Sequence, residues 1–150
     1  MSRNDSHENR GPMLGALIRM AHAAMIEEYL RWLASTPYRD IQPSHSAVIQ
    51  PLWERPDGAR LTALAKTARI TKQSMGALVD SLEQSGYIER IDDSDDRRAS
   101  RIRLTARGRR FARDVRAFAR GLENQLAERM GPRKVHQLRA ALKLLLASLH

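Results

Sequence analysis

Between Leu61 and Leu104 the hydrophobic pattern changes its period, and few folds accommodate the result. Leu61 to Ala68 reads Leu-Thr-Ala-Leu-Ala-Lys-Thr-Ala, a short helical pattern. Thr71 opens a second one, Lys72 to Gln84, in which Met75, Leu78, Val79 and Leu82 recur at i, i+3, i+4 and i+7 and so form one apolar stripe. Gly86 stops that helix. Tyr87 to Ile91 and Ala99 to Leu104 then read as strands, with Asp92 to Arg98 as the hairpin tip between them. Two short helices followed at once by a hairpin require a compact lobe in which the hairpin edges the helix pair.

The second helix has an unusual outward face. At about 100° per residue, Gln73, Gly76, Ala77, Asp80 and Gln84 lie opposite the stripe, with Lys72 at their edge. A face meant only for water favours Glu and Lys, whereas this one is short, flat and amide-rich. Gly76 costs roughly 1 kcal/mol against Ala in a helix interior, and close approach to another surface gives a reason for that cost. Drift on a solvated face explains Gly76 equally well. The helix pair fits a helix-turn-helix. Ala65 is small where the helices cross, Leu64 and Ala68 point inward, and Ile70 plugs the turn. Arg69 stands where such turns often carry glycine. Thr71 is a good N-cap, and the amides of the first turn, with Lys72, suit a phosphate.

The tip Asp92-Asp93-Ser94-Asp95-Asp96-Arg97-Arg98 is a poor turn by propensity. One physical use is that Asp96 holds Arg98 extended by ion pairing, so that the guanidinium projects into a narrow, electronegative minor groove. A solvated charged loop is the plainer alternative. In the return strand Ile102 and Leu104 alternate with Arg101 and Arg103, giving one core face and one basic face. Arg101 and Arg103 either neutralise phosphates or pair with the wing's own carboxylates.

The series Leu-Thr-Ala-Leu-Ala, Thr-Lys-Gln-Ser-Met, Leu-Val-Asp-Ser-Leu-Glu, Gly-Tyr-Ile-Glu-Arg, Asp-Asp-Arg-Arg-Ala and Arg-Leu-Thr-Ala-Arg-Gly, from Leu61 to Gly108, resembles the MarR family of winged-helix transcriptional regulators. Its Asp-Arg-Arg wing followed by Leu-Thr-x-x-Gly is much more specific than a helix-turn-helix alone. The resemblance implies a mainly α fold with a small antiparallel β wing, that is, a winged helix-turn-helix with flanking dimerisation helices. It also implies a homodimer that binds double-stranded DNA at a pseudo-palindromic operator. Such proteins are usually repressors, often released by a small-molecule effector held between the dimer helices and the reading lobe. Trp32, Trp53, His22, Met25 and Phe111 are candidate lining residues there, and each also suits an ordinary core.

Charge agrees with a polyanion partner. The 150 residues carry 26 Lys+Arg against 17 Asp+Glu, a net charge of +9, which points to nucleic acid before a membrane surface. With no cysteine, the chain has no disulfide, no thiolate metal ligand and no thiol with which to sense peroxide. No apolar run approaches the ~20 residues that span a bilayer, and no secretory segment is visible, so a cytoplasmic protein without membrane contact is expected.

The flanks divide the chain into a disordered arm (1–11), a dimerisation helix (12–40), the winged lobe (41–104), and a long linking helix with a C-terminal dimerisation helix (105–150). Pro12 to Ala34 carries Leu14, Leu17, Ile18, Ala21, Met25, Tyr29 and Trp32 as an apolar stripe. A further helix, capped by Ser44 or Ser46 and reaching about Glu54, contains Pro51, so a bend near Ala47 to Gln50 or a break is expected. Pro56-Asp57-Gly58 is a turn, and Arg60-Leu61 a short third strand beside the wing. Thr105 caps a helix to about Met130 with Phe111, Val115, Phe118, Leu122 and Leu126 inward, and Gly131-Pro132 ends it. Arg133 to His150 repeats Val135, Leu138, Leu142, Leu145 and Leu149 in a helix-packing seam.

The histidines show no metal-ligand spacing, and no phosphate loop or nucleophile motif is visible, so neither enzyme activity nor a cofactor is expected. The expected DNA contacts are Thr71, Lys72, Gln73, Ser74, Gly76, Ala77, Arg97, Arg98 and Arg101, with Asp96 orienting the wing. Gln73 suits adenine through its amide and Ala77 a thymine methyl. The rival readings are a winged-helix module that binds protein, which would expose apolar anchors on its second helix, and a non-specific architectural DNA binder.

Overall fold

A computed structural model describes residues 11–93 and 99–149. The chain divides into two compact units, one ending at Pro43 and the other beginning at Ser44.

The first unit is helix α1, Leu14–Ala34, and the loop that follows it. The helix starts two residues later than Pro12, with Met13 at its N-cap and no side chain there to hold the first amides. Its end is tied down by short-range bonds: Ser35 Oγ donates to Trp32 O at 2.7 Å and Thr36 Oγ1 to Leu33 O at 2.9 Å. Trp32 stacks near Tyr29 at 5.9 Å and tilts toward Tyr38 at 6.2 Å. Burial pushes the Tyr29 hydroxyl up to about 12, because the phenolate would lose its hydration. Leu14, Leu17, Ile18 and Met25 of the expected stripe are exposed.

The second unit opens with a 3-10 turn that ends at His45 and α2, Ser46–Leu52. Neither serine caps α2: the cap position falls on His45, without a side-chain hydrogen bond. The helix is also two residues shorter than expected. Pro51 lies inside it, and the chain leaves through tighter bonds, Trp53 N to Gln50 O and Arg55 N to Leu52 O. Proline at 51 has no N–H to donate to Ala47 O, so one ladder bond is missing in the last turn, and the helix ends one residue later. The turn then reaches β1, Ala59–Arg60.

Helices α3, Leu61–Ala68, and α4, Lys72–Gln84, match their expected bounds, as does the turn between them. Arg69 is left-handed at φ 55°, and Ile70 N and Arg69 N donate back to Ala65 O and Lys66 O. This is the 6→1 and 5→2 pairing that closes a helix when one residue adopts the left-handed region. Strands β2, Ile88–Asp92, and β3, Ser100–Leu104, form the hairpin, and β1 adds to the outer edge of β3 in the order β1-β3-β2. All pairings are antiparallel, with Ile88 opposite Leu104 and Arg90 opposite Ile102.

Helix α5 runs Ala106–Met130 and α6 Pro132–Ser148, separated by Gly131 at φ 91°. Thr105 caps α5 by accepting from Gly108 N at 3.1 Å, while donating to Gly86 O at 2.6 Å. Glycine at 108 is required by space: a Cβ there would lie 2.0 Å from Tyr87 O. The Leu-Thr-x-x-Gly signature is thus the docking of the long helix onto the start of β2.

The core gathers Val48, Ile49 and Leu52 of α2, Leu64 of α3, Met75, Val79 and Leu82 of α4, Ile88 and Ile102 of the sheet, and Tyr87 and Phe111, whose rings meet edge-on at 5.7 Å. Each such aliphatic side chain contributes roughly 1.5–3 kcal/mol by leaving water. Leu78, expected in the stripe, is only half-buried. Along α5 only Phe111 of the expected stripe is fully buried, and α6 buries nothing.

Candidate nucleic-acid interface

Helix α4 is held by one side and uncovered on the other. Met75, Val79 and Leu82 have no exposed surface, and α3 packs beside them. Thr71, Lys72, Gln73, Ser74, Ala77, Asp80 and Gln84 are exposed, and Gly76 is half-exposed. A Cβ on Gly76 would meet nothing within 4 Å, so the protein itself does not demand glycine there. The N-terminus of α4 is well built: Thr71 Oγ1 accepts from Ser74 N at 3.0 Å and donates to Ser74 Oγ at 2.8 Å. That pairing engages Ser74 Oγ as an acceptor. The structure therefore brings Thr71, Lys72, Gln73, Ser74, Gly76 and Ala77 onto one open face.

The hairpin beside this face is braced by ion pairs. On the sheet side away from the core, Arg103 Nε donates to Glu89 Oε1 at 2.7 Å, directly across the β2–β3 register. Arg101 is turned toward the α2–β1 turn: its Nε and Nη2 donate to Asp57 O and Gly58 O, each at 2.9 Å. It also lies 3.9 Å from the buried carboxylate of Asp93. Its hydrogen bonds thus go to the carbonyls of that turn, with the wing carboxylate of Asp93 at the edge of pairing distance. The expected wing residues Asp96, Arg97 and Arg98 lie outside the described residues.

Three contacts were not foreseen. Asp93 is buried at the root of the tip and accepts from Arg60 Nε at 2.6 Å. Arg90 reaches back to Asp80 and Glu83 of α4. Arg107 lies over the Tyr87 ring at 4.3 Å and donates to Ser85 O at 2.7 Å, holding the end of α4 to the start of α5. Strand alternation carried a signal for Arg90, since it shares a sheet side with Ile88 and hence with α4. For Asp93 and Arg60, far apart in the chain, no local signal existed.

Two helices joined by a left-handed turn, the second with its polar face open and a hairpin at its flank, define a winged helix-turn-helix. Residues 41–100 match the model of the MarR family, so over this segment the chain is similar to that family. Solved structures agree along nearly the whole length. FabT of Streptococcus pneumoniae in complex with DNA superposes with a TM-score of 0.80 at 20% identity, over 91% of this chain and 94% of that one. The Staphylococcus aureus MepR–DNA complex gives 0.76 at 23% identity, over 92% and 99%. BldR, a transcriptional regulator from Sulfolobus solfataricus, gives 0.70 at 24% identity, over 90% and 93%. These likenesses establish the fold, mostly helical with a small antiparallel sheet.

Proposed function

We propose that this chain is a sequence-specific DNA-binding transcription regulator that acts as a homodimer on a pseudo-palindromic operator, as a repressor released by a small molecule. The observation that carries the reading is the open face of α4, where Gln73 and Ala77 stand free beside the phosphate-suited first turn at Thr71 and Lys72. Gln73 pairs with adenine in the major groove, and Ala77 meets a thymine methyl. Lys72 and the α4 amides anchor the backbone, and Arg98, oriented by Asp96, enters the flanking minor groove with Arg97 nearer phosphate. The FabT and MepR complexes with DNA support this use of the fold.

Pairing of two chains is supported by apolar surface that nothing covers. Leu14, Leu17 and Ile18 are exposed in the first unit, and Leu138, Leu142, Leu144, Leu146 and Leu149 in the second. Faces of this kind are a liability in a monomer, and two-fold pairing sets two reading helices about 34 Å apart, one turn of duplex. Release by a ligand is supported by a solved structure of MepR bound to ethidium bromide. Trp53 adds a local reason, because its Nε1 is buried without a hydrogen-bond partner while Arg116 lies over its ring at 4.6 Å. A buried donor of this sort gains from an acceptor on a ligand.

Selection of bound fragments from random duplex DNA, followed by affinity measurements against salt, tests the reading. A two-fold consensus with a large specific-to-non-specific ratio supports it. Binding without sequence preference would replace it with an architectural role, and no binding at all would leave a protein-interaction module.

A further inference from the structure

Helix α4 is an odd electrostatic object for a helix that reads DNA. Between Lys72 and Gln84 its only cation is Lys72, against the carboxylates of Asp80 and Glu83. Asp80 lies in the middle of the open face, two turns beyond Gln73 and so about 10 Å further along the axis. A free carboxylate there confronts the phosphate rim of any duplex whose groove holds Gln73.

The missing charge comes from the hairpin. Arg90, at the centre of β2, extends from the same sheet side as Ile88, and its Nη2 donates to Asp80 Oδ1 at 2.6 Å. Its Nη1 pairs with Glu83. One guanidinium thus engages both acids of α4 and brings the helix to neutrality. Folding alone gives little reason for this cluster, since the side chains of Arg90, Asp80 and Glu83 are 36%, 61% and 36% exposed, and pairs in such surroundings contribute at most about 1 kcal/mol.

We propose that Arg90 is a positioning residue for DNA reading: it draws the carboxylates of Asp80 and Glu83 away from the phosphates and ties α4 to the wing strand, so that helix and hairpin meet the duplex as one piece. This rests on the function proposed above and deepens it. The role is indirect, because Arg90 acts through the two acids and through the angle of α4.

The test uses the full chain and the duplex selected by the wild-type protein. Arg90→Gln should weaken binding roughly tenfold at low salt, the order expected for one uncompensated unit charge near phosphate at surface dielectric. The deficit should shrink as salt rises, because repulsion is screened, while the thermal midpoint moves little. Adding Asp80→Asn and Glu83→Gln to that variant should recover most of the lost affinity, since the freed carboxylates are then gone. A clamp that is merely structural predicts the opposite, with the triple variant as weak as the single one. Arg90→Lys, which keeps the charge but loses the forked geometry, should fall between wild type and Arg90→Gln. Unchanged affinity in Arg90→Gln, or failure of the triple variant to recover, overturns the proposal while leaving the DNA-binding reading intact. A wild-type chain that binds no duplex overturns both.

Discussion

Arg60 Nε donates to Asp93 Oδ2 at 2.6 Å, and the Asp93 side chain has no exposed surface at all. The two residues lie 33 positions apart and join β1 to the root of the wing. Asp93 N also donates to Ala99 O at 3.1 Å, so the same residue closes the ladder at the tip. A carboxylate taken this far from water is tolerated only with a charged donor beside it. Removing its charge takes from Arg60 and Arg101 the carboxylate that both approach.

Asp93→Ala is therefore expected to cost about 2–4 kcal/mol in stability, near the lower range for breaking a buried pair because Arg60 remains partly solvated. Urea unfolding of the two proteins, with unchanged slope, measures it. A loss within experimental error would show that the brace is dispensable.

Gly108 sits where α5 begins, with Tyr87 O 2.0 Å from the site of a Cβ. That neighbour is backbone, which cannot swing aside, so Gly108→Ala must push the long helix off β2. A loss of at least 1–3 kcal/mol is expected, the usual range for overpacking, despite the gain in helix propensity. Calorimetry of the single variant decides this, and a stabilised Gly108→Ala protein would contradict the close approach.

Gly76 offers the opposite case. It lies inside α4 with open space around it, so Gly76→Ala should stabilise the isolated protein by up to about 1 kcal/mol. If α4 enters a major groove, the same methyl should weaken operator binding. Paired measurements of thermal midpoint and duplex affinity are needed, because only a rise in one with a fall in the other identifies a surface kept bare for contact.

Tyr29 makes stability depend on alkaline pH. Its hydroxyl is raised from 10.0 to about 12 by burial, so the folded state holds the proton more tightly than the unfolded chain does. That contribution is complete below pH 10 and is lost as pH rises through 12. The denaturant midpoint of wild type should therefore fall relative to that of Tyr29→Phe across this interval. Parallel pH curves for the two proteins would remove the tyrosine from the account.

Much of the winged lobe was legible without coordinates. The bounds of α3 and α4, the Thr71 and Thr105 caps and the stop at Gly131 follow from local rules, because propensity, capping and period act over a few residues; the short third strand, expected at Arg60-Leu61, forms one residue earlier at Ala59–Arg60. The outward face of α4 was readable for the same reason: once Met75, Val79 and Leu82 are buried, helical geometry dictates what points away. Local rules also erred locally, as at α2, which ends at Leu52 rather than near Glu54 and takes neither serine as its cap.

What the residues alone could not decide was which charges meet. Arg101 had two sensible partners by pattern, and the choice fell to the α2–β1 turn, whose carbonyls at Asp57 and Gly58 arrive from more than 40 positions away. Asp93 reads as one more acid in a charged tip until β1 delivers Arg60 against it. Arg90 reads as a solvated strand residue until the angle between α4 and the sheet brings Asp80 and Glu83 within reach. Periodicity determines which side of an element is buried because it is a property of one backbone. Ion pairing was decided only by the tertiary structure, because it depends on the placement of two backbones in space.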